Sequence, residues 1–189
     1  KRKINWDLRE KELQEISNWA KETTTSNYDC AIGVSGGKDS TLQAIIARDK
    51  LDLKPLLVNS EPAGITDIGK HNIENLKQLG FDVLTLRPNP KILKKLIKRD
   101  FYKYLNPVKI TEYSLYSSTY IIAEKFDIPL IIQGENPGLV LGTRLTGVGS
   151  DSNALKVDEM HTLSLGWQEY LNEIPNEKDL FLYHYLSSH

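Results

Sequence analysis

The chain has 189 residues, 40% hydrophobic and 26% charged, which suits one soluble domain with a sizeable core. Lys and Arg (24) nearly balance Asp and Glu (25), so no global field favours nucleic acid or an anionic membrane surface. One cysteine excludes an internal disulfide framework and a self-contained cysteine zinc site, and fits a reducing compartment.

No apolar stretch approaches the ~18 residues of a membrane span, and no h-region follows KRKINWDLRE. The expectation is a cytoplasmic protein without a membrane or nucleic-acid partner. Because the chain opens on Lys rather than Met, absences near its ends carry little weight.

In chain order, residues 7–23 read as a helix, with Leu8, Leu13, Ile16 and Trp19/Ala20 approximating an apolar stripe and Asp7 as its cap. Residues 28–34 read as a strand, and residues 38–49 as a helix with Leu42, Ile45 and Ile46 on one face. KPLLVN (54–59) is a second buried strand. Asp67 is the expected cap of a helix carrying Ile68, Ile73, Leu76 and Leu79, which stops at Gly80. A third strand spans 82–86. Pro90 opens a helix running towards Tyr104, residues 114–126 form another, and PLIIQ (129–133) is a fourth strand. Strands alternating with helices predict βα repeats and a parallel sheet covered on both faces. After Gly142 the pattern weakens to a loop-like stretch, about one helix and an aromatic tail. The expected organisation is a lead-in helix (1–26), an α/β domain (27–145) and a C-terminal appendage (146–189).

Between the first strand and its helix stands CAIGVSGGKDS (30–40). A glycine-rich turn there presents several backbone N–H groups to one point at the positive end of the helix dipole, and Lys38 with the Ser35 and Ser40 hydroxyls makes it a phosphate site. It is not a Walker A loop, since Gly33 to Gly37 is one residue too short and Asp39 occupies the hydroxyl position; nor do Gly33, Gly36 and Gly37 make G-x-G-x-x-G. An aspartate beside a triphosphate calls for a divalent cation, so Asp39 points to magnesium. The plainer alternative is a tight turn capping a helix.

Ser35-Gly36-Gly37-Lys38-Asp39-Ser40 resembles the S-G-G-x-D-S signature of the PP-loop ATP pyrophosphatases. That resemblance implies an adenine nucleotide alpha hydrolase-like (Rossmann-like) three-layer α/β sandwich. It also implies ATP chemistry in which AMP passes to a carbonyl or carboxylate oxygen and a nitrogen or sulfur donor displaces it. Sulfur transfer is disfavoured, because Cys30 leads into an apolar strand and reads as a buried small hydrophobe. KILKKLIKR (91–99) reads as a solvated amphipathic helix rather than an RNA surface.

Three longer stretches resemble the N-acetyl sugar amidotransferases of surface-polysaccharide (lipopolysaccharide, O-antigen) biosynthesis: INWDLREKELQEI (4–16), KPLLVN with TDIGKHNIENLKQLGFDVLT (66–85), and IPLIIQGEN (128–136). The likeness runs from Ile4 to Arg144 and loosens after it. It implies conversion of a sugar acetamido group to an acetamidino group, with ATP activating the amide oxygen. Ammonia would come from a separate glutaminase with a synthase-like partner. The family's cysteine-rich segment before the lead-in is not seen in this chain.

On that resemblance, Ser35, Gly36, Gly37, Lys38, Asp39, Ser40, Asn59 and Gly134 are expected to bind ATP, with Lys38, Asp39 and Glu135 catalytic. Asp39 and Glu135 would hold Mg2+, while Asn136 and Arg144 would bind the N-acetylated sugar. Asn136-Pro137-Gly138 is alternatively a structural turn, and Arg144 and His71 alternatively surface residues. Tyr113, Tyr116 and Tyr120 share a helix face and are expected to pack on the sheet, a sugar-stacking surface being the alternative. The rival functions are a tRNA-modifying PP-loop ligase, another ATP-dependent amide synthetase, and a non-catalytic ATP-binding subunit.

Overall fold

A computed structural model describes residues 4–134 and 167–183. Each apolar run becomes a strand: β1 (Cys30–Gly33), β2 (Pro55–Ser60), β3 (Asp82–Leu86) and β4 (Leu130–Ile132). All pair in parallel in the order β3-β2-β1-β4, with Cys30 beside Pro55 on one side and Leu130 on the other. Parallel neighbours need crossovers, and helices supply them. The lead-in helix is α1 (Trp6–Thr23). Helix α2 (Lys38–Ile45) continues into a π-helical turn (Ile46–Lys50) on the way to β2. Helix α3 (Asp67–Gln78) joins β2 to β3, and α4 (Pro90–Tyr104) with α5 (Lys109–Lys125) joins β3 to β4.

The caps lie just before the expected acids. Asn5 accepts from the Leu8 amide and Thr66 from the Gly69 amide, because the cap is the residue ahead of the first helical one. Asp7 and Asp67 instead sit in the first turn, where their charge favours the helix dipole.

Side chains alternate across the sheet. Cys30, Ile32 and Leu57 face Ala20 of α1, Ala44 of α2 and Ile73 and Leu76 of α3, while Ala31, Leu56 and Val58 face Ile122 and Ala123 of α5. The result is the three-layer arrangement that the apolar runs require. Phe126, just past α5, meets the Tyr28 ring edge-on at 6.4 Å ahead of β1, and Thr119 lies against Gly33 at the far end of that strand. Helix α5 therefore runs antiparallel to β1, and its first turns rise beyond the carboxyl edge of the sheet.

The other side of α5 and α4 carries a separate core. Leu93, Leu96, Ile110 and Tyr113 pack with Trp167, Tyr170, Leu180 and Tyr183, which belong to two 3-10 segments, Trp167–Tyr170 and Glu177–Tyr183. The Tyr113 and Tyr170 rings meet edge-on at 5.8 Å. An ionic cluster clamps this joint: Arg99 reaches Glu169 at 2.8 Å and Asp100 at 2.9 Å, Lys109 and Tyr104 also bond Glu169, and Tyr170 donates to Asp100 at 2.9 Å.

Three expectations change here. Tyr113, Tyr116 and Tyr120 pack on the C-terminal core rather than on the sheet. Helix α5 begins at Lys109, five residues before the expected start, because Lys109 and Ile110 are buried by segments far along the chain. The stripe on α1 is largely solvent-facing: Leu8, Leu13, Ile16 and Trp19 are exposed, whereas Ser17 and Ala20 are buried. Among the described residues no helix is long and apolar enough to cross a membrane.

Candidate functional site

The loop after β1 is held from two sides. The Val34 amide donates to the Val58 carbonyl at 2.8 Å, and the buried Asn59 side chain donates through Nδ2 to the Val34 carbonyl at 2.9 Å. Gly36 has φ +76°, and a Cβ there would lie 2.9 Å from Asn72 Cβ, so only glycine serves on both counts. Gly37 caps α2, its amide donating to Ser35 Oγ at 3.4 Å, while Ser40 Oγ donates back to the Gly37 carbonyl at 3.2 Å. Among the described residues no side chain caps α2, so its leading N–H groups and positive dipole end face the loop. The arrangement is an anion cradle. Lys38 Nζ lies 2.6 Å from Asp39 Oδ1, and both side chains are largely in solvent.

The opposite wall comes from elsewhere in the chain. Gln133 and Gly134 follow strand β4, and α5 contributes Leu115, Tyr116 and Thr119. Together with Ser35, Asp39, Ser40 and Gln43 these enclose a cleft of about 260 Å³. It opens at the carboxyl ends of β1 and β4, where the strand order turns back on itself and where ligands of open α/β sheets bind.

Ser35, Asp39, Ser40 and Gly134, four of the residues expected at an ATP site, therefore meet in one cleft. Gly36 and Lys38 face a neighbouring hollow of about 430 Å³ between α2 and α3, bordered by Leu42 and Asn72. Asn59 reaches the loop, but its side-chain amide is committed to Val34. Glu135, Asn136 and Arg144 lie outside the described residues. His71 is exposed on α3 and lines neither space.

Sequence reasoning missed Gln43, Thr119 and Gln133, and held Tyr116 only as an alternative sugar-stacking residue. A glutamine in mid-helix reads as surface, yet Gly134 approaches so closely that a Cβ there would be 2.7 Å from Gln43 Nε2. Gln43 Oε1 is buried and finds no hydrogen-bond partner among the described residues.

Among the described residues no three His, Cys, Asp or Glu side chains cluster for a metal. The donors present fit a magnesium ion carried largely by phosphate oxygens, which needs only one or two protein carboxylates, and Asp39 supplies an exposed one at the cradle. Cys30 sits at the amino end of β1, roughly 10 Å of strand from the cleft. Burial, helped by Asp29, pushes its thiol up to about 12, as a buried small hydrophobe requires. Lys91, Lys94, Lys95 and Lys98 are solvated while Leu93 and Leu96 are buried, the pattern of an amphipathic helix.

The fold is thus an α/β parallel-sheet sandwich of the adenine nucleotide alpha hydrolase-like class, with a strand–loop–helix anion cradle at its switch point. No protein-family model matches the chain, and no curated protein matches it. Solved structures do. An NH3-dependent NAD synthetase from Campylobacter jejuni subsp. jejuni superposes with TM-score 0.55 at 18% identity over 74% of this chain and 61% of that one. An NMN synthetase from Francisella tularensis does so with TM-score 0.50 at 19% identity over 68% of this chain and 56% of that one. The chain spans less than two thirds of the length of either, and at these identities the likeness is one of fold.

Proposed function

We propose that the protein is an ATP-dependent, AMP-forming amidotransferase that converts the acetamido group of a surface-polysaccharide sugar to an acetamidino group. The observation that carries this reading is the Ser35–Ser40 cradle at the head of α2, facing Gly134 across the switch-point cleft. The name of the Campylobacter relative, an NH3-dependent synthetase, supports ammonia as nitrogen donor. The sugar and the ammonia-supplying glutaminase and synthase-like subunits rest on the resemblance of 4–16, 54–59, 66–85 and 128–136.

In this reading the loop amides and the α2 dipole hold the pyrophosphate portion of ATP, and Ser35 and Ser40 hydroxyls add donors. Asp39, with Glu135, would hold Mg2+, which neutralises phosphate charge when bound. The cleft aligns the substrate amide oxygen with the α-phosphorus. A bond forms between them, the α–β anhydride breaks, and pyrophosphate departs with the bonding pair. Ammonia then bonds to the activated carbon, the carbon–oxygen bond breaks, and AMP leaves with that pair. One ammonia proton goes to solvent and two remain on the new amidine nitrogen. No protein nucleophile is needed, which agrees with the inert Cys30.

The test is pyrophosphate release with ATP, magnesium and an ammonium salt across N-acetylated sugars, uronic acids, nonulosonic acids and bulk tRNA. Stimulation by one acetamido sugar, with AMP formed in step, is expected. Stimulation by tRNA alone would transfer the chain to the tRNA-modifying ligases.

A further inference from the structure

We propose that the joint between α4 and α5 is a docking tip for the anionic surface of a lipid bilayer. The inference goes beyond the amidotransferase reading and uses no residue of the cleft.

Lys91, Lys94, Lys95 and Lys98 form an exposed row along α4, and the one acid of that helix, Asp100, is buried. Lys95 has Glu173 at 3.9 Å, but Lys91, Lys94 and Lys98 meet no carboxylate among the described residues. A chain of net charge −1 thus carries a local positive field. At three- and four-residue spacing the same helix face continues into Phe101, Tyr102 and Leu105, with Val108 just beyond. All four are exposed, Tyr102 to 74% and Leu105 to 81%. Lys98 Nζ lies 6.0 Å over the Tyr102 ring, so row and tip are continuous.

Leu105 is costly where it stands. It ends α4 at φ +55°, the left-handed region that glycine and asparagine enter most readily, and with its side chain in solvent the fold recovers nothing for it. The tip is also placed to reach outward. Thr119 lies level with the end of β1, and α5 begins ten residues earlier at Lys109. The tip therefore stands roughly 15 Å beyond the carboxyl edge of the sheet, on the side where the cleft opens.

A lysine row beside an aromatic and aliphatic knob is the chemistry of an interfacial anchor. The cations are drawn to anionic headgroups, and the apolar side chains enter the boundary between headgroups and acyl chains. RNA would engage the lysines and rings but leaves Leu105 and Val108 without a role. Four apolar side chains also fall well short of the roughly 20 residues a side that a stable dimer contact uses.

The test is flotation of the protein with vesicles of phosphatidylglycerol and phosphatidylethanolamine, against vesicles of phosphatidylcholine alone. Binding should require phosphatidylglycerol and weaken as salt is added. Lys94→Gln and Lys98→Gln should each weaken it about fivefold. Leu105→Asn should weaken it about tenfold while leaving the melting temperature at or above wild type, since asparagine suits the left-handed position. Absence of binding to the phosphatidylglycerol vesicles at low salt would overturn the proposal. So would equal binding to phosphatidylcholine, or wild-type affinity in Leu105→Asn, because the tip would then not enter the bilayer. Retention of bulk tRNA that the lysine variants abolish, without vesicle binding, would assign the face to RNA. A concentration-dependent dimer lost in Leu105→Asn, again without vesicle binding, would assign it to a second copy.

Discussion

Gly33, the last residue of β1, lies directly under the Thr119 side chain of α5, where an added Cβ would come within 2.9 Å of Thr119 Oγ1. Thr119 is buried and β-branched, so it has little freedom to yield. Gly33→Ala should therefore cost roughly 1–3 kcal/mol in urea unfolding, with Thr119→Ala in the same chain recovering part of it. A loss below ~0.5 kcal/mol would show that the helix accommodates the methyl group.

The Asn59 side chain braces the cradle by donating to the Val34 carbonyl. Asn59→Ala should destabilise by about 1–3 kcal/mol, because the Val34 carbonyl loses a buried donor. Removing the brace should also raise KM for ATP. Calorimetry and initial rates on the same preparation separate the two effects, and a change in stability without one in KM would confine Asn59 to folding.

Asp39 behaves oppositely. Its side chain is largely exposed and pairs with a similarly exposed Lys38, so Asp39→Ala should leave unfolding nearly untouched. Turnover should fall by ~100-fold or more, since charge stabilisation at the phosphates goes with it. Wild-type turnover of that variant in the assembled complex would identify the chain as a non-catalytic ATP-binding subunit.

The clamp on residues 167–183 titrates in acid. Burial pushes the Glu169 carboxyl up, but hydrogen bonds from Lys109, Tyr104 and Arg99 outweigh it and hold the group at about 2 against an ordinary 4.5. A depressed folded value contributes stability that is complete above the ordinary value and is lost as pH falls from 4.5 towards 2. Asp100, raised by burial against Tyr170 and Arg99, works in the other direction and is relieved by protonation. Glu169→Gln should cost roughly 2–3 kcal/mol near neutrality and flatten the acid limb of the stability curve. A variant whose acid limb matches wild type would show that the clamp contributes nothing.

Cys30 should resist alkylation by thiol reagents in the native state and react only on unfolding, since burial holds its thiol up at about 12. Cys30→Ala should retain activity and lose about 1 kcal/mol of stability. Abolished turnover in a folded Cys30→Ala protein would reopen sulfur chemistry.

The four strands and the cradle were legible because they depend on contiguous residues: runs such as KPLLVN and IPLII have the composition of doubly covered strands, and Gly36 and Gly37 mark the turn. What escaped reading depends on distant chain. Lys109 and Ile110 begin a helix only because Glu169 and the C-terminal core bury them, and Tyr113 turns to Tyr170 for the same reason. Burial on two sides also erases the one-sided apolar pattern by which α5 would have been read in full. On α1 the stripe was visible, but contact goes through Ser17 and Ala20, whose small side chains allow close approach and carry no pattern of their own. Gln43 gave no signal, because the backbone that buries it arrives with β4.

That late arrival bears on how the molecule is made. The cradle is local: β1, its loop, α2 and β2 follow one another, so this half can assemble early. The facing wall joins only when β4 pairs with β1, closing a loop of about one hundred residues with a three-residue strand. A nucleotide spanning both walls would fasten this long-range closure, raising apparent stability as its concentration exceeds its Kd.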